Sequence, residues 1–67
     1  MYELNKYGKI IVQGIEIYYG CVIDADSQAG IAKIYVCDWR DKHKHTKNFK
    51  QIILPQRDFI IKYEVEQ

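Results

Sequence analysis

The sequence predicts an all-β fold, a single small five-stranded antiparallel barrel spanning residues 1–67. Three observations carry that prediction. β-branched and aromatic residues dominate, no long stretch carries apolar residues at three-and-four spacing, and turn residues punctuate short apolar runs at small-barrel intervals. Strands are expected at about 9–13 (β1), 15–25 (β2), 30–39 (β3), 48–54 (β4) and 58–65 (β5).

Side chains of a strand alternate between its two faces, so each strand can be sorted. In β2 the odd positions Ile15, Ile17, Tyr19, Cys21 and Ile23 are apolar and are expected in the core, with Glu16, Tyr18 and Asp24 opposite. In β3 the even positions Ala32, Ile34 and Val36 are expected inside, leaving Lys33, Tyr35, Cys37 and Trp39 outside. In β5 Phe59, Ile61, Tyr63 and Val65 face inward and Lys62, Glu64 and Glu66 outward.

Asp26-Ser27-Gln28-Ala29-Gly30 supplies turn chemistry between β2 and β3. Matching core with core pairs Ile23 with Ala32, Cys21 with Ile34 and Tyr19 with Val36, and sets Tyr35 over Gly20. This register puts Cys21 and Cys37 on opposite faces, ~10 Å out of step, so both thiols are expected free. Gly20 is the expected bend in a long β2. Pro55 ends β4, because proline cannot donate to a ladder, and Pro55-Gln56-Arg57 suits a tight turn or single 3₁₀ turn.

This strand pattern resembles the small SH3-like and Sm-like barrels. Gly14, Gly20, Val22 and Asp24 are similar to the glycine, glycine, hydrophobic and aspartate positions of the first Sm motif. Ile53 to Asp58 followed by Phe59-Ile60-Ile61 is similar in layout to the second. The Met-Asn pair that follows the aspartate in that family is absent here, where Asp26-Ser27-Gln28 stands instead. The resemblance implies a fold; it does not by itself imply a function.

A chain of 67 residues buries only ~60% of its unfolded surface, which leaves little room for a pocketed active site. No nucleophilic triad, glycine-rich phosphate loop or carboxylate pair is visible, and the reading is non-enzymatic, with no cofactor. The net charge of +1 excludes both a whole-surface polycation and an acidic DNA mimic. No apolar run approaches the ~18 residues of a membrane span, and no signal-peptide core follows the N-terminus, so a cytoplasmic location and no membrane contact are expected.

Charge is nevertheless segregated. Residues 39–50 hold Arg40, Lys42, Lys44, Lys47 and Lys50 against one acid, Asp41, giving +4 and leaving −3 for the rest. If Val36 pairs with Ile52 and Ile34 with Leu54, Trp39 faces Phe49 at the base of a β3–β4 hairpin with a cationic tip. Lys33 and Tyr35 extend the same outer stripe. Rings that stack bases beside cations that neutralise phosphates suit single-stranded or looped nucleic acid. The expected nucleic-acid-binding residues are Lys33, Tyr35, Trp39, Arg40, Lys42, Lys44, Lys47, Phe49 and Lys50.

Other readings stay open beside it. Lysine-rich tips also keep strand edges soluble. The aromatic face or an edge strand also suits a protein partner, as in a small inhibitor or regulator of mobile-element origin, and edge strands permit homo-oligomers. Cys37, His43 and His45 form a thin metal set, for which solvated histidines are the plainer reading. Asp24 and Asp26 read as turn acceptors more simply than as cation ligands.

Overall fold

A computed structural model describes residues 2–64 of the chain. Five strands form one antiparallel sheet: β1 (Gly8–Val12), β2 (Glu16–Asp26), β3 (Ile31–Asp38), β4 (Lys50–Pro55) and β5 (Phe59–Tyr63), in the order β4-β3-β2-β1-β5. Two 3₁₀ turns complete it, Trp39–Asp41 after β3 and Gln56–Asp58 between β4 and β5. The predicted Val65 and Glu66 lie outside the described residues. No helix among the described residues is long and apolar enough to cross a membrane.

The hydrogen bonds of the Gln56–Asp58 turn reveal the sheet's shape. Gln56 N–H donates to Gly30 O (2.8 Å) in the β2–β3 turn, while Gln13 N–H, in the β1–β2 turn, donates to Asp58 O (2.7 Å). These two turns sit at opposite ends of β2, which would run roughly 35 Å if straight. Residues 56 and 58 are at most ~8 Å apart. β2 must therefore bend strongly, and the sheet curls so that three residues bridge its two edges. The curl does not close: among the described residues β4 and β5 form no ladder with each other, so the expected barrel is an open, curled sheet.

The inner face holds the core. Ile10, Val12, Val22, Ala32, Ile34, Val36 and Phe59 are buried, flanked by Tyr18, Ala25, Ile52, Leu54 and Ile61. Tyr2 stacks on Phe59 with ring centroids 5.5 Å apart, and Asn5 N–H donates to Val22 O, so the N-terminal segment covers this face. Gly8 and Gly20 are register partners in the same row. A Cβ on Gly20 would meet the Tyr35 carbonyl and lie 2.8 Å from Val36 Cα, while one on Gly8 would lie 2.9 Å from Tyr63 Cα. Two bare backbones side by side let the strands approach closely along this row.

Several registers differ from expectation. β2 pairs Gly20 with Val36, Cys21 with Tyr35 and Val22 with Ile34, one residue away from the expected alignment. A one-residue slip exchanges faces. The even residues Tyr18, Gly20 and Val22 therefore point inward, and Tyr19 and Cys21 lie on the outer face. A bulge at Ile23 then shifts the alternation, so that Ala25 meets Ala32. At Tyr19 and Cys21 the outer face is covered too, while Ile17 on the same face stays exposed. Cys21 and Cys37 share that outer face; they are buried and unbonded, as diagonal neighbours ~7–8 Å apart. β3 and β4 pair Val36 with Lys50 and Ile34 with Ile52, two residues from the expected alignment, which keeps the predicted faces but moves every contact.

The turns follow their chemistry. Asp26 Oδ1 accepts from the N–H groups of Gln28 and Ala29, and Gly30 adopts φ 69°. At the β1–β2 turn Gln13 and Gly14 both have positive φ, 52° and 70°, and Ile15 N–H donates to Val12 O.

Candidate nucleic-acid interface

The outer face is built in rows. Lys9, Tyr19 and Cys37 sit side by side across β1, β2 and β3, and Cys21, Tyr35 and Gln51 form the next row. Phe49, just before β4, folds onto them. Its ring stacks on Tyr35 (4.8 Å, 15°) and meets Tyr7 edge-on (6.0 Å, 88°), while Tyr19 lies 5.4 Å from Tyr7 and 6.3 Å from Trp39. The expected Trp39–Phe49 pair is not formed. β3 ends at Asp38, Trp39 enters a 3₁₀ turn, and Tyr19 stands between the two rings.

The 39–49 loop owes this path to Asp38. Its carboxylate accepts from Arg40 N–H (2.8 Å) and from the Arg40 guanidinium (3.1 and 3.2 Å), capping the turn. These bonds hold the Asp38 carboxyl below the usual carboxylate range. Lys42 N–H then donates to Trp39 O, and Lys44 N–H to Asp41 O. The loop folds back over the sheet where a projecting hairpin was expected. Lys42 Nζ lies 4.8 Å from the Trp39 ring and 5.4 Å from Tyr19, and pairs with Glu64 at 2.7 Å. Lys9 Nζ approaches Trp39 from β1 at 5.2 Å.

Between loop and sheet lies an open cleft of about 800 Å³, lined by Tyr7, Tyr19, Lys42, His43, Lys47, Phe49 and Glu64. Burial raises the phenol pKa of Tyr7 and Tyr19 and the thiol pKa of Cys21 and Cys37 above their ordinary values. The cleft therefore presents neutral rings over neutral, poorly nucleophilic thiols.

The predicted site residues divide accordingly. Tyr35, Trp39, Lys42, Lys47 and Phe49 converge on or beside the cleft. Arg40 points to solvent with its guanidinium on Asp38, and Lys44 pairs with Asp41 at 2.8 Å. Lys33 lies farther along β3 beside Ile53. Lys50 lies over Tyr18, 5.8 Å from its ring, in register with inward Val36. Cys37 is buried while His43 and His45 are exposed, and among the described residues no three His, Cys, Asp or Glu side chains gather as metal ligands.

Sequence reasoning missed Tyr7, Lys9, Tyr19, His43 and Glu64. The signal for Tyr19 was present: a tyrosine hydroxyl seeks a polar partner or water, which suits a half-covered outer face better than a dry core. No family model, curated protein or solved structure matches the chain.

Proposed function

We propose that the chain is a non-enzymatic module that binds single-stranded nucleic acid in the Tyr7–Tyr19–Phe49 cleft, on an open, curled frame of SH3-like or Sm-like strand layout. What supports the frame is the strand order β4-β3-β2-β1-β5, the bent β2 and the three-residue link joining the two edges. The observation that carries the function is an open cleft walled by three aromatic rings and rimmed by Lys42 and Lys47. Bases are sequence-tolerant partners for rings, at ~1–3 kcal/mol for each stacked base, and lysines on the rim neutralise phosphates. The Lys42–Glu64 pair does not block this. Pairs with solvent-accessible partners contribute ~0–1 kcal/mol, so a phosphate can displace the carboxylate.

The competing reading is a protein-binding module. It is favoured by the pairing of Arg40, Lys42 and Lys44 with acids of the same chain, which lowers the free positive charge around the rings. Tyr, Trp and Arg are also the residue types of protein hot spots.

Anisotropy of a labelled oligopyrimidine, titrated at low and at physiological salt, separates the two. Binding weakened by salt is expected, with Lys42→Ala/Lys47→Ala lowering the log–log salt slope by ~1.4 and Phe49→Ala costing ~1–3 kcal/mol. No binding at low salt, or affinity unchanged in the lysine variant, removes the nucleic-acid reading.

A further inference from the structure

We infer that the chain pairs with a second copy of itself, β5 against β5 in antiparallel register about a two-fold axis at Ile60. The two edges of the sheet are not equivalent. β4 ends in Pro55, which has no N–H to offer, and begins with Lys50; both features discourage strand addition. β5, Phe59-Ile60-Ile61-Lys62-Tyr63, carries neither proline nor bulge, and among the described residues pairs only with β1. Its outward N–H and C=O groups are a template for another strand.

An apolar row runs to that edge and stops. On the outer face Ile17 pairs with Ile11, and Ile11 with Ile60. Ile17 is 40% exposed, Ile60 55%, and Ile15 at the adjoining turn 82%. A two-fold at Ile60 sets Ile60 against its own copy and joins two rows of three isoleucines into one of six.

Charge selects the same register. With the axis at Ile60, Asp58 falls at the position opposite the second copy's Lys62, and the reverse pair repeats across the axis. Neither side chain has an ion-pair partner among the described residues. Moving the axis to Ile61 sets Asp58 against Glu64 and Ile60 against Lys62, which is worse for charge and for apolar contact. Opposite charges across strands stabilise, and like charges destabilise, by ~0.2–1 kcal/mol per pair. A symmetric contact counts each pair twice.

Analytical ultracentrifugation over a concentration series tests this. The wild-type chain should sediment as a reversible dimer at high concentration. Asp58→Lys alone and Lys62→Asp alone should each weaken dimerisation about tenfold. An equimolar mixture of the two should restore it, because two cations on one copy then meet two carboxylates on the other. Ile60→Lys, at an exposed position, should leave a folded monomer by circular dichroism. A wild-type monomer at millimolar concentration, single variants that dimerise as wild type does, or a mixture that stays monomeric would overturn the proposal.

Discussion

Gly20 is the residue on which the shape depends most directly. It sits in mid-β2 opposite Gly8, and any side chain there points into the Tyr35 and Val36 backbones. Backbone atoms cannot swing aside as a flexible side chain can, so the strain has no cheap exit. Gly20→Ala is expected to destabilise the chain by ~2–3 kcal/mol in urea unfolding, near the top of the overpacking range. A loss within ~0.5 kcal/mol would show that the strands are not this close at Gly20. By contrast Gly14 and Gly30 have open space where a Cβ would stand, and matter through positive φ alone. Gly20 stood out in the sequence as a mid-strand glycine; its partner Gly8 did not, because β1 was expected to begin one residue later.

Among the elements, the five strands, the Asp26–Gly30 turn and the 3₁₀ link after Pro55 were legible, and the inward faces of β3 and β5 with them. β2 was not, for a physical reason. Tyr19 belongs to the outer aromatic layer and Cys21 is buried on the same face, so mid-strand both look as apolar as core residues and read as core. The Ile23 bulge then hid the register, since a bulge leaves no mark on an alternation of apolar residues. The 39–49 loop was equally hidden: nothing in Trp39-Arg40-Asp41 announces a 3₁₀ turn without the Asp38 cap. That cap makes a prediction for the element. Asp38→Ala should loosen the loop and speed amide exchange at Arg40 and Lys42, leaving β3 protected. The same loosening should follow acidification of the wild type. Asp38 titrates below its ordinary value, so its contribution is full above the unfolded carboxylate value and disappears as pH falls through the depressed one. Equal exchange in variant and wild type would mean that Asp38 does not hold the loop.

At the scale of the whole molecule, one curled sheet buries an aliphatic core on its inner face and an aromatic layer on its outer face. The charge segregation visible in the sequence persists as position, with the cationic loop lying across the rings. Much of it is spent internally, however, on Asp38, Asp41 and Glu64. Binding is therefore expected to centre on the cleft, where Lys47 and Lys42, the latter by exchanging Glu64 for a phosphate, line the rings, and not on the full run of five cations. The edge isoleucines lie on the same outer face, along β1, β2 and β5, so self-association and ligand binding use different parts of it. Binding in the cleft is tested most sharply by a two-dimensional ¹H–¹⁵N spectrum of the chain titrated with a short unlabelled oligopyrimidine at low salt. The single tryptophan gives one indole resonance, which serves as an unambiguous reporter beside the cleft. Binding in the cleft should give graded shifts at Tyr7, Tyr19, Lys42, Lys47, Phe49 and the Trp39 indole, with Ile15, Ile17 and Ile60 unmoved. Shifts gathered on the isoleucine row or the β4 edge, or no shifts at all, would contradict it.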